Sequence, residues 1–336
     1  VAIIILMVIV IGCALVAVAR QRRWLRLRGV AGGLLVSYAS LVLLLLLGEG
    51  YFRFVYAESD GLPTLALENW KARYWHTNAM GFRDPDWTSR EVTGKQVVLL
   101  IGDSFTAGWG IPQTADRFGD VMAARLGADY AVINLGLPGS STVDETKTLQ
   151  ATTFQTPQTV VLQYYLNDIE TAALSIGLDP GLNPARDMPA WASESYLGNF
   201  LYWRVMSGAR PEQRGEQSYW DWLYSMYDNS TVWDIHQQQL DAFTAAVEAT
   251  GAHLVVVIFP NMLDPLRSIA YADRVAQYFA AHGYADSTLK LFDAAAAMPL
   301  AERVVSVRDA HASAAFNRQV GEWLAPLVVQ PALDAE

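Results

Sequence analysis

The chain opens on two long apolar runs separated by a cationic interruption. Residues 1–19 carry no charge, residues 20–28 read Arg-Gln-Arg-Arg-Trp-Leu-Arg-Leu-Arg, and residues 29–47 are again apolar, ending in five consecutive leucines. A helix needs roughly 20 apolar residues to cross a bilayer, so each run predicts a membrane-spanning helix. Arginines in a short loop favour its retention on the cytoplasmic side, which places both ends of this hairpin, and all that follows, outside. A cleaved signal peptide fits less well, because its positive charges precede the apolar segment. The pattern thus divides the chain into a membrane anchor over 1–48, a lead-in over 49–95 and a folded domain over 96–330.

In the lead-in, Tyr51-Phe52-Arg53-Phe54 suits a membrane interface, where aromatic rings are favoured. Pro63 and Pro85 argue against one long helix. From residue 96 the period alternates. Continuous apolar runs predict buried strands at 97–101, 130–134, 159–164, 253–259 and 289–292. Between and after them, helical patterns cover 114–126, 142–153, 231–250, 268–282 and 314–327. Strands alternating with helices predict an α/β fold with a mainly parallel sheet. The alternation breaks over about 176–229, rich in proline and aromatics, with short helices expected near 195–207 and 217–227. This insertion is expected over the carboxyl edge of the sheet.

Charge sharpens the picture. The net charge is −10, and all five basic residues of the first 28 are arginines. The remainder therefore carries 19 basic against 34 acidic groups. An acidic domain is a poor partner for nucleic acid, which is bound through Lys and Arg. Cys13 is the only cysteine, so neither an intramolecular disulfide nor a cysteine metal site can form, and no cofactor or metal motif occurs.

The candidate chemistry sits at strand ends. Strand 97–101 runs into Gly102-Asp103-Ser104, which puts Ser104 at the carboxyl edge of the sheet, where open α/β folds bind ligands. A serine hydroxyl needs a neighbouring base to become a nucleophile. Of the five histidines, only His311 has an acid two residues before it, Asp309, in a short loop between a strand-like run and the closing helix. His236, His253 and His282 fall in helical or strand positions and read as structural. Acyl transfer also needs oxyanion donors. The Ser104 N–H, the Gly139 N–H in the turn after the second strand, and the Asn167 side chain after the third can supply them. Asp103 reads as a turn residue pointing away from the nucleophile. The Gly-x-Ser-x-Gly elbow and the phosphate-binding Gly-Lys-Ser/Thr loop are both missing around these strand ends.

Gly102-Asp103-Ser104, Gly139, Asn167 and Asp309/His311, in this order, resemble the GDSL, or SGNH, hydrolases over roughly residues 78–327. Asn78…Gly81-Phe82-Arg83 and Tyr165-Leu166-Asn167-Asp168-Ile169 are similar to phrases of bacterial members. The resemblance implies a flavodoxin-like α/β/α sandwich, a catalytic triad of Ser104, Asp309 and His311, and an oxyanion hole of Ser104, Gly139 and Asn167. Two features depart from the family pattern. The acid and histidine are separated by one residue instead of two, and Tyr165-Leu166 stands where glycine commonly precedes the asparagine. The expected activity is a serine esterase on an O-acyl, including acetyl, ester of a cell-envelope glycan or lipid, outside the cytoplasmic membrane. The same residues would serve an O-acyltransferase of an extracytoplasmic polysaccharide, and a non-catalytic glycan-binding protein is the reading from another class.

Overall fold

The computed structural model describes residues 2–20, 25–152, 156–181, 188–206 and 219–329. They fall into two compact units, Val1–Arg73 with Asn183–Arg210, and Tyr74–Leu182 with Pro211–Glu336.

The first unit begins with helices α1 (Ala2–Arg20) and α2 (Leu25–Phe54). Of the Arg-rich segment 20–28, residues 21–24 lie outside the described residues. Among the described residues one helix, Gly32–Phe54, is long and apolar enough to cross a membrane, with a mean hydropathy of 1.8 and none of it buried. Past α2, helix Leu65–Tyr74 buries Leu67 and Trp70. Residues 188–206 form helices Ala190–Glu194 and Tyr196–Leu201 and a π-helical turn over Tyr202–Met206. The Leu65 N–H donates to Asn199 Oδ1 at 2.9 Å, and Arg204 pairs with Glu58 at 2.8 Å and with the fully buried Asp60 at 3.4 Å. The Arg204 pairing offsets the cost of removing the Asp60 carboxyl from water.

The second unit is built on strands β1 (Gln96–Gly102), β2 (Tyr130–Gly136), β3 (Thr159–Tyr165), β4 (His253–Phe259) and β5 (Thr288–Lys290). All pair in parallel in the order β2-β1-β3-β4-β5, the flavodoxin-like arrangement. Side chains alternate across a strand, so β1 feeds two cores. Val97, Leu99 and Ile101 face one with Leu149, Phe243 and Phe279; Val98 and Leu100 face the other with Phe118, Phe316 and Leu324. Helices Thr142–Ala151, Ser230–Thr250 and Pro265–Ala281 cover the first face, and Phe118–Leu126 and Ala314–Val329 the second. This is the α/β/α layering expected.

Two details differ from the sequence reading. The helix expected over 114–126 is split: a 3-10 turn Thr114–Asp116 precedes helix Phe118–Leu126, because Arg117 is extended and buried. Residues 309–312 are not a plain loop. Strands β6 (Val304–Ser306) and β7 (Asp309–Ala312) form a separate antiparallel hairpin. In the insertion, helix Tyr219–Asp228 is present, whereas 182–187 and 207–218 lie outside the described residues.

Candidate active site

β1 is buried on both faces from Val97 to Gly102 and ends in a sharp turn. Gly102 is required there: a Cβ would lie 2.6 Å from Gln163 Oε1 and closer still to Thr106 Oγ1. Asp103 caps the following turn, Ser104–Ala107, its Oδ1 accepting the Phe105 N–H at 2.8 Å. As expected, Asp103 serves the turn. Gln163 of β3 fastens the turn from the next strand. Its Oε1 accepts the Asp103 N–H at 3.1 Å, the Thr106 N–H at 3.2 Å and the Thr106 hydroxyl at 2.9 Å. Gln163 is not among the residues expected at the site, yet a glutamine inside a buried, mainly apolar parallel strand is a visible signal, because a buried polar group must be paired.

The hairpin delivers the other two groups. Residues two apart on a strand share a face, so Asp309 and His311 point the same way. His311 Nδ1 lies 2.5 Å from Asp309 Oδ1, and the same oxygen accepts the His311 N–H at 3.1 Å. His311 Nε2 lies 2.7 Å from Ser104 Oγ. The carboxylate can only accept, so Nδ1 carries the proton and Nε2 accepts from the Ser104 hydroxyl. The short Asp-x-His spacing is thus accounted for by extended backbone.

Burial pulls the His311 pKa down, but the Asp309 charge and hydrogen bond, with a smaller push from Asp103, leave it above the usual value. Burial pushes the Asp103 carboxyl up to about 6. Asp168 and Glu145 are held well above the ordinary range by burial and mutual repulsion.

Gly139 and Asn167 flank the serine turn. The register pairs Gly102 with Gly136 and Ile101 with Leu162, so β2 and β3 end beside β1. Gly139 occupies the turn after β2, with φ +81° and open space where a Cβ would stand. The Ser140 N–H closes that turn on the Leu137 carbonyl at 3.0 Å. Asn167 is in the 3-10 turn Leu166–Ile169 directly after β3. Both therefore reach the edge that holds Ser104.

Aromatic rings wall the site. Phe105 is 5.0 Å and Trp109 6.1 Å from the His311 ring, centre to centre, and Trp75 meets Trp109 edge-on at 5.2 Å. Arg83, in the phrase Gly81-Phe82-Arg83, is buried behind this wall and donates to the carbonyls of Gly108 and Ile111, both at 2.7 Å, and of Tyr74 at 3.0 Å. Its guanidinium fork gives it donors to reach several carbonyls at once. Among the described residues no group of three or more His, Cys, Asp or Glu is placed to hold a metal ion.

No protein-family model matches the chain, and no curated protein does. Among solved structures it is similar to TesA, at 17% identity over 70% of this chain and 98% of that one, with a TM-score of 0.42. It is similar to a carbohydrate acetylesterase family member from Sinorhizobium meliloti, at 16% identity over 69% and 97%, with a TM-score of 0.36. It is also similar to a member of the lipolytic protein G-D-S-L family from Veillonella parvula, at 14% identity over 69% and 97%, with a TM-score of 0.37. In its own residues, with Ser104 after the first sheet strand, Gly139 and Asn167 after the next two, and Asp309 and His311 near the end, the chain resembles the GDSL, or SGNH, hydrolases.

Proposed function

We propose that this protein is a serine ester hydrolase that works through an acyl-enzyme. The observation that carries the reading is the continuous chain from Asp309 through His311 to the Ser104 hydroxyl, with contacts of 2.5 and 2.7 Å. Ser104 Oγ attacks the ester carbonyl carbon while His311 Nε2 takes its proton. Asp309 holds the imidazole in the required tautomer and stabilises its charged form. The N–H groups of Ser104 and Gly139 and the Asn167 amide receive the oxyanion. Collapse of the tetrahedral intermediate breaks the bond to the alcohol oxygen, which leaves with the proton from His311. Water, deprotonated by His311, then attacks the acyl carbonyl and releases the acid and free Ser104.

An O-acetyl or other O-acyl ester of an envelope glycan or lipid suits a chain that begins with apolar helices. In this reading α1 and α2 both cross the cytoplasmic membrane, the arginines between them stay inside, and the catalytic unit faces outward. Support comes from the length of α1, 19 residues, and from the apolar stretch Gly32–Phe54. A periplasmic reporter fused after Glu336 is expected to be active; an inactive one reverses the orientation.

A serine-reactive phosphonate on the full chain in detergent tests the chemistry. Labelling is expected for the parent and not for Ser104→Ala, and labelling that persists in the variant removes Ser104 as nucleophile. Adding an acetyl donor with and without a polysaccharide acceptor then reads the fate of the acyl group. Free acetate supports hydrolysis, and net transfer without free acetate reassigns the same residues to acyl transfer.

A further inference from the structure

Helix α2 changes character after its leucines. Glu49 and Arg53, one turn apart, pair at 2.6 Å. The Glu49 carboxylate also accepts the Ser195 hydroxyl at 2.8 Å and the N–H groups of Leu197 at 3.0 Å and Tyr196 at 3.2 Å. It therefore ties the start of helix Tyr196–Leu201 to α2. Gly48 permits the approach, since a Cβ there would lie 3.2 Å from Leu197 Cδ2. One turn further on, Phe52 stacks on Phe200 at 4.2 Å. The two short helices are thus locked onto α2 at the polar end of its apolar stretch.

Beside this lock lies a groove of about 450 Å³, within the size range of small-ligand sites. Leu45, Leu46, Trp191, Leu197 and Leu201 form its apolar walls, and Glu49 and Arg53 stand at one end. Leu45 and Leu46 belong to the stretch apolar enough to cross a membrane and remain 49% and 64% exposed, so the groove is continuous with the surface that would meet hydrocarbon. Its apolar walls offer water little to bond, whereas a methylene chain needs no such partner. Arg53 is held there by Glu49, the Glu194 carbonyl and the Tyr196 ring. Its side chain, still 41% exposed, leaves guanidinium N–H donors open at the polar end, where a phosphate oxygen would stand.

We infer that this groove binds one acyl chain of a membrane phospholipid, with the lipid phosphate level with Arg53. The inference rests on the membrane-spanning reading of α2 but not on the esterase chemistry. Bound lipid would orient the Trp191–Leu201 helices at the membrane surface and complete an otherwise hollow packing against α2.

The test uses the full chain in phospholipid nanodiscs carrying a phospholipid with a diazirine on its acyl chain, with cross-linked peptides mapped by mass spectrometry. Cross-links are expected in the segment 191–201 as well as along α2. Leu201→Trp, which fills the groove from an exposed position, is expected to lower labelling of 191–201 by about tenfold, leaving the α2 residues 34–44 labelled as before. Labelling of 191–201 that is absent in the parent, or unchanged in the variant, overturns the inference. Alkaline carbonate extraction of the membranes reads the anchor separately: retention with no groove labelling overturns the lipid site alone, and release into the soluble fraction overturns both. Phosphonate labelling at Ser104 reports on the esterase reading independently of either result and checks that the variant is folded.

Discussion

Gly110 has no side chain because the Asp309 carboxylate occupies the space: a Cβ on Gly110 would stand 2.8 Å from Asp309 Oδ2. It would also come within 2.6 Å of Val305 Cγ2, and the Gly110 φ of +78° is one that L residues rarely adopt. The loop after the serine turn and the hairpin carrying the acid are therefore fitted to each other across 199 residues of chain. Gly110→Ala is expected to cost about 1–2 kcal/mol from backbone strain. It also displaces Asp309, and kcat should fall by roughly 10²-fold. Unfolding curves and steady-state kinetics on a soluble ester check the two parts.

Asp309 sets the protonation of His311. The imidazole must be neutral to accept the serine proton, and its pKa is raised in the folded protein. Hence kcat/KM should fall as pH drops through a value above the ordinary 6.5. Asp309→Asn removes the charge, so that limb moves to lower pH while kcat falls by roughly 10⁴-fold. The linked stability has a definite sign. A raised folded pKa stabilises fully below the unfolded value, and the gain is lost as pH rises through the folded value. Melting temperature measured from pH 5 to 9 should show that loss in the parent and less of it in the variant.

In the proposed reaction Asn167 donates only where charge develops on the oxyanion. Asn167→Ala is expected to lower kcat by about 10²–10³-fold with little change in KM. A change in KM alone would make Asn167 a substrate-binding residue instead.

Arg83 holds the aromatic wall by its backbone. Lysine at this position cannot span the carbonyls of Tyr74, Gly108 and Ile111 together. Each buried carbonyl left unpaired costs about 1–3 kcal/mol, so Arg83→Lys should lower the melting temperature by several degrees. The Trp109 loop would loosen with it, and kcat should drop while phosphonate labelling of Ser104 persists.

Most of the architecture was legible because parallel strands buried on both faces are continuous apolar runs, and β1, β3 and β4 read that way directly. Ser104, Asp309 and His311 were legible as residues, since a strand-end serine and an acid–histidine pair are local patterns. Arg83 and Gln163 were harder. Their roles are to pair backbone groups of other segments, which no local period records. Arg117 broke an expected helix for a related reason: its side chain is buried against Asp84 and Asp120, and that demand outweighs helix propensity.

The sequence alone determined the α/β alternation, the apolar start of the chain and the placing of Ser104, Gly139 and Asn167 at strand ends. These follow from the side-chain periodicity of each element and from turn residues within it. Tertiary structure alone decided that His311 meets Ser104, that the Asp-x-His spacing works because 309–312 is extended, and that Gly110 makes room for the acid. Each of these depends on the distance between side chains far apart in the chain, and that distance exists only once the sheet and the hairpin are packed.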